Sequence, residues 1–158
     1  MILTKKNALK IISNYYSKNK FFDFIFGSVK KHWGILHGYK PHKIKYSWGF
    51  YSSHSTGFFI KRDVAQKVGF YNIKYKYHAD YDYFYRLIVK KKMRGTSTKK
   101  KELIGVFRRE GFSSQISFWK KLKEEIKIRY DNDQNIFLLG LIFCNKFLRN
   151  LDKILKKK

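Results

Sequence analysis

Residues 21–28 have the sequence FFDFIFGS, a short apolar run rich in phenylalanine that ends at Gly27. Its length and its aromatic content predict a buried β-strand rather than a helix. Two further strands are predicted over residues 57–61 and 103–107. Residues 30–48 mix lysine, histidine, glycine and tryptophan without a period, which predicts a loop.

Helical spacing of apolar residues outlines the elements between these strands. A short helix is predicted to end near residue 68, with Gly69 as its stop, and a longer helix covers residues 80–92. The predicted helix starts are Thr4 for a helix to residue 16, Asp63 for the short helix, Ser113 or Ser114 for a helix to residue 130, and Asn135 for a helix to residue 155. Helices interleaved with short apolar strands indicate the α/β class.

Length and composition indicate one folded domain. The chain has 158 residues, of which 44% are hydrophobic and 19% aromatic, enough to build a core and to exclude disorder as its main state. The single cysteine, Cys144, excludes a disulfide framework and a cysteine-based zinc site. The start MILTKKNALK lacks the apolar stretch of a signal peptide, and the longest apolar run, residues 136–144, is too short to cross a bilayer. We therefore expect a cytoplasmic protein that is soluble or lies on a membrane surface.

The net charge of +25, from 36 basic and 11 acidic residues, raises the question of a nucleic-acid or membrane partner. Lysine outnumbers arginine about four to one. Lysine is the weaker residue for bidentate contact with phosphates or bases. A basic nucleic-acid-binding module therefore stays an alternative, and no specific nucleic-acid recognition is expected.

The two aspartates at the start of the predicted helix 80–92 are candidates for chemistry. Asp80 and Asp82 lie two residues apart, so they do not share a helix face and cannot act as a carboxylate dyad. Asp82 is spaced to pair with Arg86 four residues later. Asp80 either caps the helix or points into a cleft.

Other polar residues give weaker signals. The five histidines show no metal-binding spacing, and a lone histidine such as His54 more often has a structural role. Arg108 and Arg109 follow the third predicted strand, where they are solvated or clamp a diphosphate. The turn with Ser113 could bind an anion at a helix start.

Five ordered parts of the sequence together resemble a known protein family. They lie in residues 53–87, SHSTGFFIKRDVAQKVGFYNIKYKYHADYDYFYRL, and in residues 105–114, GVFRREGFSS. They are a histidine before an apolar strand ending in Lys-Arg, a short helix closed by Val-Gly-Phe, an Ala-Asp-Tyr-Asp helix start with Arg-Leu downstream, a strand ending in Phe-Arg, and a Gly-x-Ser turn. Together they resemble the second half of the family 2 glycosyltransferases of GT-A fold. The resemblance covers roughly residues 3–114.

The resemblance implies a truncated GT-A-like mixed sheet flanked by helices, with a C-terminal helical tail. Residues 1–115 would be the acceptor-binding half of the domain, and residues 116–158 a basic, amphipathic tail. Such enzymes move a sugar from a nucleotide-sugar to a glycan or lipid-linked acceptor with inversion at the anomeric carbon. Asp80 aligns with the general base. The residues implied in substrate binding are His54, Asp82, Arg108, Arg109 and Ser113, with Asp82 and Arg86 also supporting the helix.

The chain also departs from the family pattern. A complete enzyme holds a divalent cation, Mg²⁺ or Mn²⁺, on an Asp-x-Asp motif in a preceding nucleotide-binding half, and no such motif occurs before Asp80. Glu110 stands where a glycine is usual. We therefore expect a truncated or split glycosyltransferase, with a missing N-terminal half as a partner. An inactive remnant or an interaction scaffold is the alternative.

Residues 136–158 alternate apolar runs with lysine and arginine. This pattern fits an amphipathic helix on an anionic membrane, which would make the protein a peripheral membrane protein. It fits equally a helix packed on the core with a solvated lysine end.

The 158-residue chain is expected to bind nucleotide-sugars weakly or not at all, because the pocket for the nucleotide would lie in the missing half. Isothermal titration calorimetry of the purified chain with uridine and other nucleotide-sugars measures this. Micromolar affinity would contradict the expectation.

Overall fold

The run that opens the sequence analysis forms the central strand of a small sheet. The computed structural model describes residues 3–4, 7–46, 55–107 and 116–151. The strands are β1 (Leu3–Thr4), β2 (Phe24–Phe26), β3 (Ser28–Lys31), β4 (Gly34–Leu36), β5 (Phe58–Ile60), β6 (Gly95–Ser97) and β7 (Leu103–Val106). The α-helices are α1 (Ala8–Lys18), α2 (His42–Tyr46), α3 (Arg62–Val68), α4 (Ala79–Tyr85), α5 (Phe118–Asp131) and α6 (Ile136–Leu148). A π-helix, Arg86–Lys90, continues α4 through most of the predicted helix 80–92, and a 3₁₀ helix covers Ser55–Gly57.

Two small mixed sheets share one continuous stretch of chain. The first has the order β5-β2-β6, with β2 antiparallel to β5 and parallel to β6. The second has the order β1-β7-β3-β4, with β3 parallel to β7 and antiparallel to β4. The chain passes from β2 to β3 through Gly27 alone. All three residues of β2 are buried, as expected for a strand with both faces covered.

The α/β class with a C-terminal helical tail is confirmed, since helices pack around these two mixed sheets. The strands predicted over residues 57–61 and 103–107 correspond to β5 and β7. The helix predicted to stop at Gly69 is α3, and Gly69 has a φ of 84°, a conformation that glycine adopts without strain. The strand β6 carried no apolar run and was not predicted.

Four local predictions were wrong. Asp63 does not cap α3, because the N-cap position is Lys61 and Asp63 is the second residue of the helix. Residues 30–48 contain the end of β3, the hairpin strand β4 and the short helix α2, because pairing with β7 organises a stretch that has no period of its own. Thr4 does not cap a helix but pairs with Gly105 in the second sheet. The helix α5 begins after Ser117, whose hydroxyl accepts a hydrogen bond from the N–H of Lys120, whereas Ser113 and Ser114 lie outside the described residues.

The main core is aromatic. The ring of Phe84 meets those of Phe26 and Phe58 edge to face, at centroid distances of 5.1 and 4.7 Å. This joins α4 to both β2 and β5. A second cluster, formed by Ala8, Ile12, Ile25 and Ile104, holds α1 against the other side of the sheets.

A buried arginine attaches the C-terminal helices to this core. Arg129 of α5 is fully buried, and its guanidinium donates to Glu125 at 3.2 and 3.3 Å and to Gln134 at 2.9 Å. It also donates to the carbonyl oxygen of Lys45 at 3.1 Å and lies 5.2 Å from the ring centroid of Tyr81. One side chain therefore links α5 to α2 and to α4.

Within the described ranges, none of the helices is both long enough and apolar enough to cross a membrane.

The close approach of Gly57 to Gly27 leads to a prediction about stability. A Cβ on Gly57 would lie 2.6 Å from the carbonyl oxygen of Gly27, where two backbone segments approach closely. We expect Gly57→Ala to lower the free energy of unfolding by about 1–3 kcal/mol, measured by urea denaturation. The control Gly140→Ala, in α6, meets no atom within 4 Å and should leave stability unchanged or raise it by up to about 1 kcal/mol. Equal stability of Gly57→Ala and the parent chain would contradict the close approach.

Candidate functional site

Asp80 is the second residue of α4, and only one of its carboxylate oxygens is used by the described residues. The N-cap position belongs to His78, which makes no side-chain capping bond. Oδ1 of Asp80 accepts a hydrogen bond from the N–H of Tyr81 at 2.9 Å. Oδ2 has no hydrogen-bond partner in the described ranges, and the side chain is half-buried. Asp80 thus satisfies one first-turn N–H and keeps an oxygen available.

The carboxyl ends of the parallel strands β3 and β7 lie within electrostatic range of Asp80. Lys31 ends β3, and its Nζ lies 5.0 Å from the ring centroid of Phe107, the residue after β7. Burial lowers the pKa of Lys31, and the nearby charge of Asp80 opposes that shift. The outer edge at the carboxyl ends of parallel strands is where ligands bind in open α/β sheets.

The segment before α4 is held by a carboxylate from another helix. Glu124 of α5 accepts hydrogen bonds from the backbone N–H groups of Lys76, Tyr77 and His78, at 3.1, 2.7 and 2.7 Å. Three successive N–H groups on one carboxylate fix the path of the chain immediately before Asp80. Glu124 was not singled out from the sequence, because nothing local in α5 shows which backbone it reaches.

His78 adds no charge to this arrangement at neutral pH. Its Nδ1 lies 3.9 Å from Oε1 of Glu124, beyond hydrogen-bonding distance. Burial lowers the pKa of His78, which keeps the imidazole neutral. The contact with Glu124 is therefore a packing contact and not an ion pair.

Asp82 faces the interior, away from Asp80. Its Oδ2 accepts from Nε of Arg86 at 2.9 Å, which confirms the predicted pairing, and its Oδ1 accepts from Nδ2 of Asn132 at 3.1 Å. Arg86 donates in turn to the carbonyl oxygens of Val68 and Phe70, at 2.7 and 2.8 Å. Asp82 therefore supports the helix and the chain after α3, with both oxygens engaged.

A groove lined by aromatic side chains includes Tyr71, which lies within electrostatic range of Asp80. The rings of Tyr71 and Tyr83 stack at 4.5 Å with an interplanar angle of 13°. Burial, and then the neighbouring charge of Asp80, raise the pKa of Tyr71 to about 12, so this hydroxyl stays protonated. The groove has a volume of about 590 Å³ and is lined by Phe58, Ile60, Arg62, Ala65, Gln66, Gly69, Phe70, Tyr71 and Tyr83. We call it the tyrosine groove.

The structure places two of the six predicted site residues. Asp80 and Asp82 lie on one helix but face different surroundings, one half-exposed and one buried. The other four, His54, Arg108, Arg109 and Ser113, lie outside the described residues. Sequence reasoning missed Lys31, Glu124 and the pair of stacked tyrosines. Lys31 fell in a segment predicted to be a loop, and the tyrosine-rich composition of residues 71–85 was the one available signal for the groove.

The part of the chain that the structure describes contains no group of three or more His, Cys, Asp or Glu side chains able to hold a metal ion. These residues therefore do not fit the divalent cation that the family resemblance implies. Comparisons of this chain with models of known protein families, with curated proteins and with solved structures give no match.

The buried pairing of Asp82 predicts a large effect on stability. Asp82→Asn removes the charge that faces Arg86, and we expect it to lower the free energy of unfolding by about 2–3 kcal/mol. The matched control is Asp133→Asn, because Asp133 pairs with Lys90 at 2.5 Å on the surface with its side chain 84% exposed. That change should cost less than about 1 kcal/mol. Denaturant unfolding of both variants measures the difference, and equal costs would contradict a structural role for Asp82.

Proposed function

We propose that this chain carries the acceptor-binding half of an inverting glycosyltransferase, with Asp80 as its general base. The observation that carries the proposal is the second carboxylate oxygen of Asp80. It has no hydrogen-bond partner among the described residues, and the carboxylate lies within electrostatic range of Lys31 at the carboxyl end of β3. The proposal also rests on the ordered resemblance of residues 53–114 to that enzyme family.

In the proposed reaction, Asp80 accepts a proton from the acceptor hydroxyl. The hydroxyl oxygen of the acceptor forms a bond to the anomeric carbon while the bond from that carbon to the nucleoside diphosphate breaks. The proton of the hydroxyl passes to the Asp80 carboxylate as the oxygen attacks. A single displacement of this kind inverts the anomeric centre. No step is assigned to a metal ligand of this chain.

Asp82 does not compete with Asp80 for this role. Both of its oxygens accept hydrogen bonds, from Arg86 and Asn132, and its side chain is 3% exposed. An acceptor hydroxyl could reach it only by displacing those partners. Asp80 is therefore the proposed base, and Asp82 is a buried support.

The tyrosine groove offers the acceptor a surface within electrostatic range of the base. Tyr71 borders the groove and also lies close enough to Asp80 for the charge of that carboxylate to affect its pKa. Concave sites lined by aromatic rings with a few polar groups are typical binding sites for small ligands. Arg62 and Gln66 supply the polar groups here. The proposed acceptor is a glycan or a lipid-linked sugar that enters along this groove.

The variant Asp80→Asn tests the proposal. It keeps the shape of the side chain but cannot accept the proton, so we expect turnover to fall by about 10²–10⁴-fold while donor affinity changes less than about twofold. The assay measures release of nucleoside diphosphate from a panel of nucleotide-sugars in the presence of glycan acceptors. The protein is isolated from its own cells, so that any accompanying polypeptide stays present.

Asp63→Asn is the matched control, because Asp63 is an exposed carboxylate in the first turn of α3. Its activity should equal that of the parent chain. Full activity of Asp80→Asn would remove Asp80 from the chemistry. Absence of release with every donor would favour the remnant or scaffold alternative.

A further inference from the structure

The helix α6 presents a broad apolar surface to solvent. Its buried side chains are Leu139 and Ile142. We define the α6 face as the large apolar side chains on its open side, which are 41–80% exposed: Ile136, Phe137, Leu141, Phe143 and Leu148. Contiguous apolar patches of this kind are rare on soluble monomers and mark interaction sites.

Aromatic side chains extend the α6 face onto α5. Trp119, which is 47% exposed, lies 5.9 Å from the ring centroid of Phe147, and Phe147 stacks on Phe143 at 6.3 Å. The two helices therefore form one continuous apolar surface with a tryptophan at its border. Tryptophan is enriched where proteins meet the interface between membrane and water.

Basic side chains are exposed on the two helices that form this surface. Lys120 and Lys123 are exposed on α5, and Lys123 is one helical turn from Trp119 on the same side of the helix. Arg149 is exposed at the end of α6, and the sequence then continues as DKILKKK over residues 152–158. An apolar surface bordered by lysine and arginine is complementary to a bilayer that contains anionic lipids.

We propose that the α6 face lies on an anionic phospholipid membrane, with α6 parallel to the bilayer surface. Charge decides between this occupant and a second copy of the chain. Two copies would each bring a net charge of +25 to the contact and repel one another, whereas an anionic bilayer attracts that charge.

The dimensions of α6 agree with a helix that lies in the interface. Its 13 residues span about 20 Å, less than the hydrocarbon thickness of a bilayer. Leu139 and Ile142 stay packed toward α5 while the opposite side enters the boundary between headgroups and acyl chains. The contact therefore requires no unfolding of the helix from the core.

Co-flotation of the full chain with vesicles tests the apolar part of this surface. The vesicles contain phosphatidylcholine with or without 30% phosphatidylglycerol, and we expect binding only with the anionic lipid. The variant Phe137→Ser/Leu141→Ser should lower the partition coefficient by at least about tenfold. The matched control Leu9→Ser/Phe21→Ser replaces two side chains that are equally exposed elsewhere, 73% and 70%, and should bind as the parent does.

The charged border is tested in the same assay. Lys120→Gln/Lys123→Gln should weaken binding by roughly fivefold for each lysine. The control Lys10→Gln/Lys67→Gln removes the same net charge from α1 and α3, and its binding should fall less than about twofold.

Three results would overturn the proposal. They are no binding to anionic vesicles, equal losses in the variants and their controls, and a dimer in sedimentation velocity that Phe137→Ser/Leu141→Ser dissociates. Circular dichroism of each variant checks that the fold is kept. If the apolar variant does not fold, the lysine variant and its control test the proposal, and the reverse holds if the lysine variant does not fold. None of these measurements depends on glycosyl transfer, so the outcome is independent of the proposed function.

Discussion

The buried guanidinium of Arg129 is the charge that joins helices α2, α4 and α5. A fully buried arginine is tolerated only when its donors are satisfied, and here Glu125, Gln134 and the carbonyl oxygen of Lys45 accept them. Lys146 of α6 forms an ion pair with the second oxygen of Glu125. Through these contacts α2, α5 and α6 share one polar centre. The ring of Tyr81, next to Asp80, packs on the same guanidinium, so the position of Asp80 depends on it too.

The carboxylates of Glu124 and Asp82 hold the start of α4 in place. Glu124 holds the three N–H groups that precede the helix, and Asp82 ties its first turn to Arg86 and Asn132. Asp80 lies between these two anchors and needs no further partner to stay in place. A side chain whose backbone is fixed at both ends can keep an oxygen free for a ligand, and this is the property that the proposed general base requires.

The sequence predicted best what is decided locally. The buried strand at residues 24–26, the stop at Gly69 and the Asp82–Arg86 pair follow from apolar runs, turn chemistry and helical spacing, which act within a few residues. Prediction failed where the local conformation depends on pairing with segments that are distant in the sequence. Thr4 became a strand residue because it meets Gly105, and residues 30–48 became structured because β3 pairs with β7.

The residues of the candidate site show the same difference between local and distant interactions. Asp80 could be selected because it is one of 11 acidic residues and begins a helix. Glu124 and Lys31 could not, because the hydrogen bond of Glu124 to His78 and the electrostatic influence of Asp80 on Lys31 bridge 46 and 49 residues of sequence. Such contacts are set by the packing of whole elements, which the pattern of a single segment does not contain.

The single-residue link at Gly27 limits how this protein can move. The stretch 24–31 belongs first to one sheet and then to the other, and the backbone N–H of Gly27 is itself bonded to Gly57 at 2.7 Å. Within the described residues, this short link and the hydrogen bond restrict rotation of one sheet relative to the other. Phe58 in the wall of the groove pairs with β2, and Lys31 ends β3, so both depend on this one stretch of backbone. A ligand that contacts both residues would bind to backbone that is already in place, without closure of one sheet onto the other.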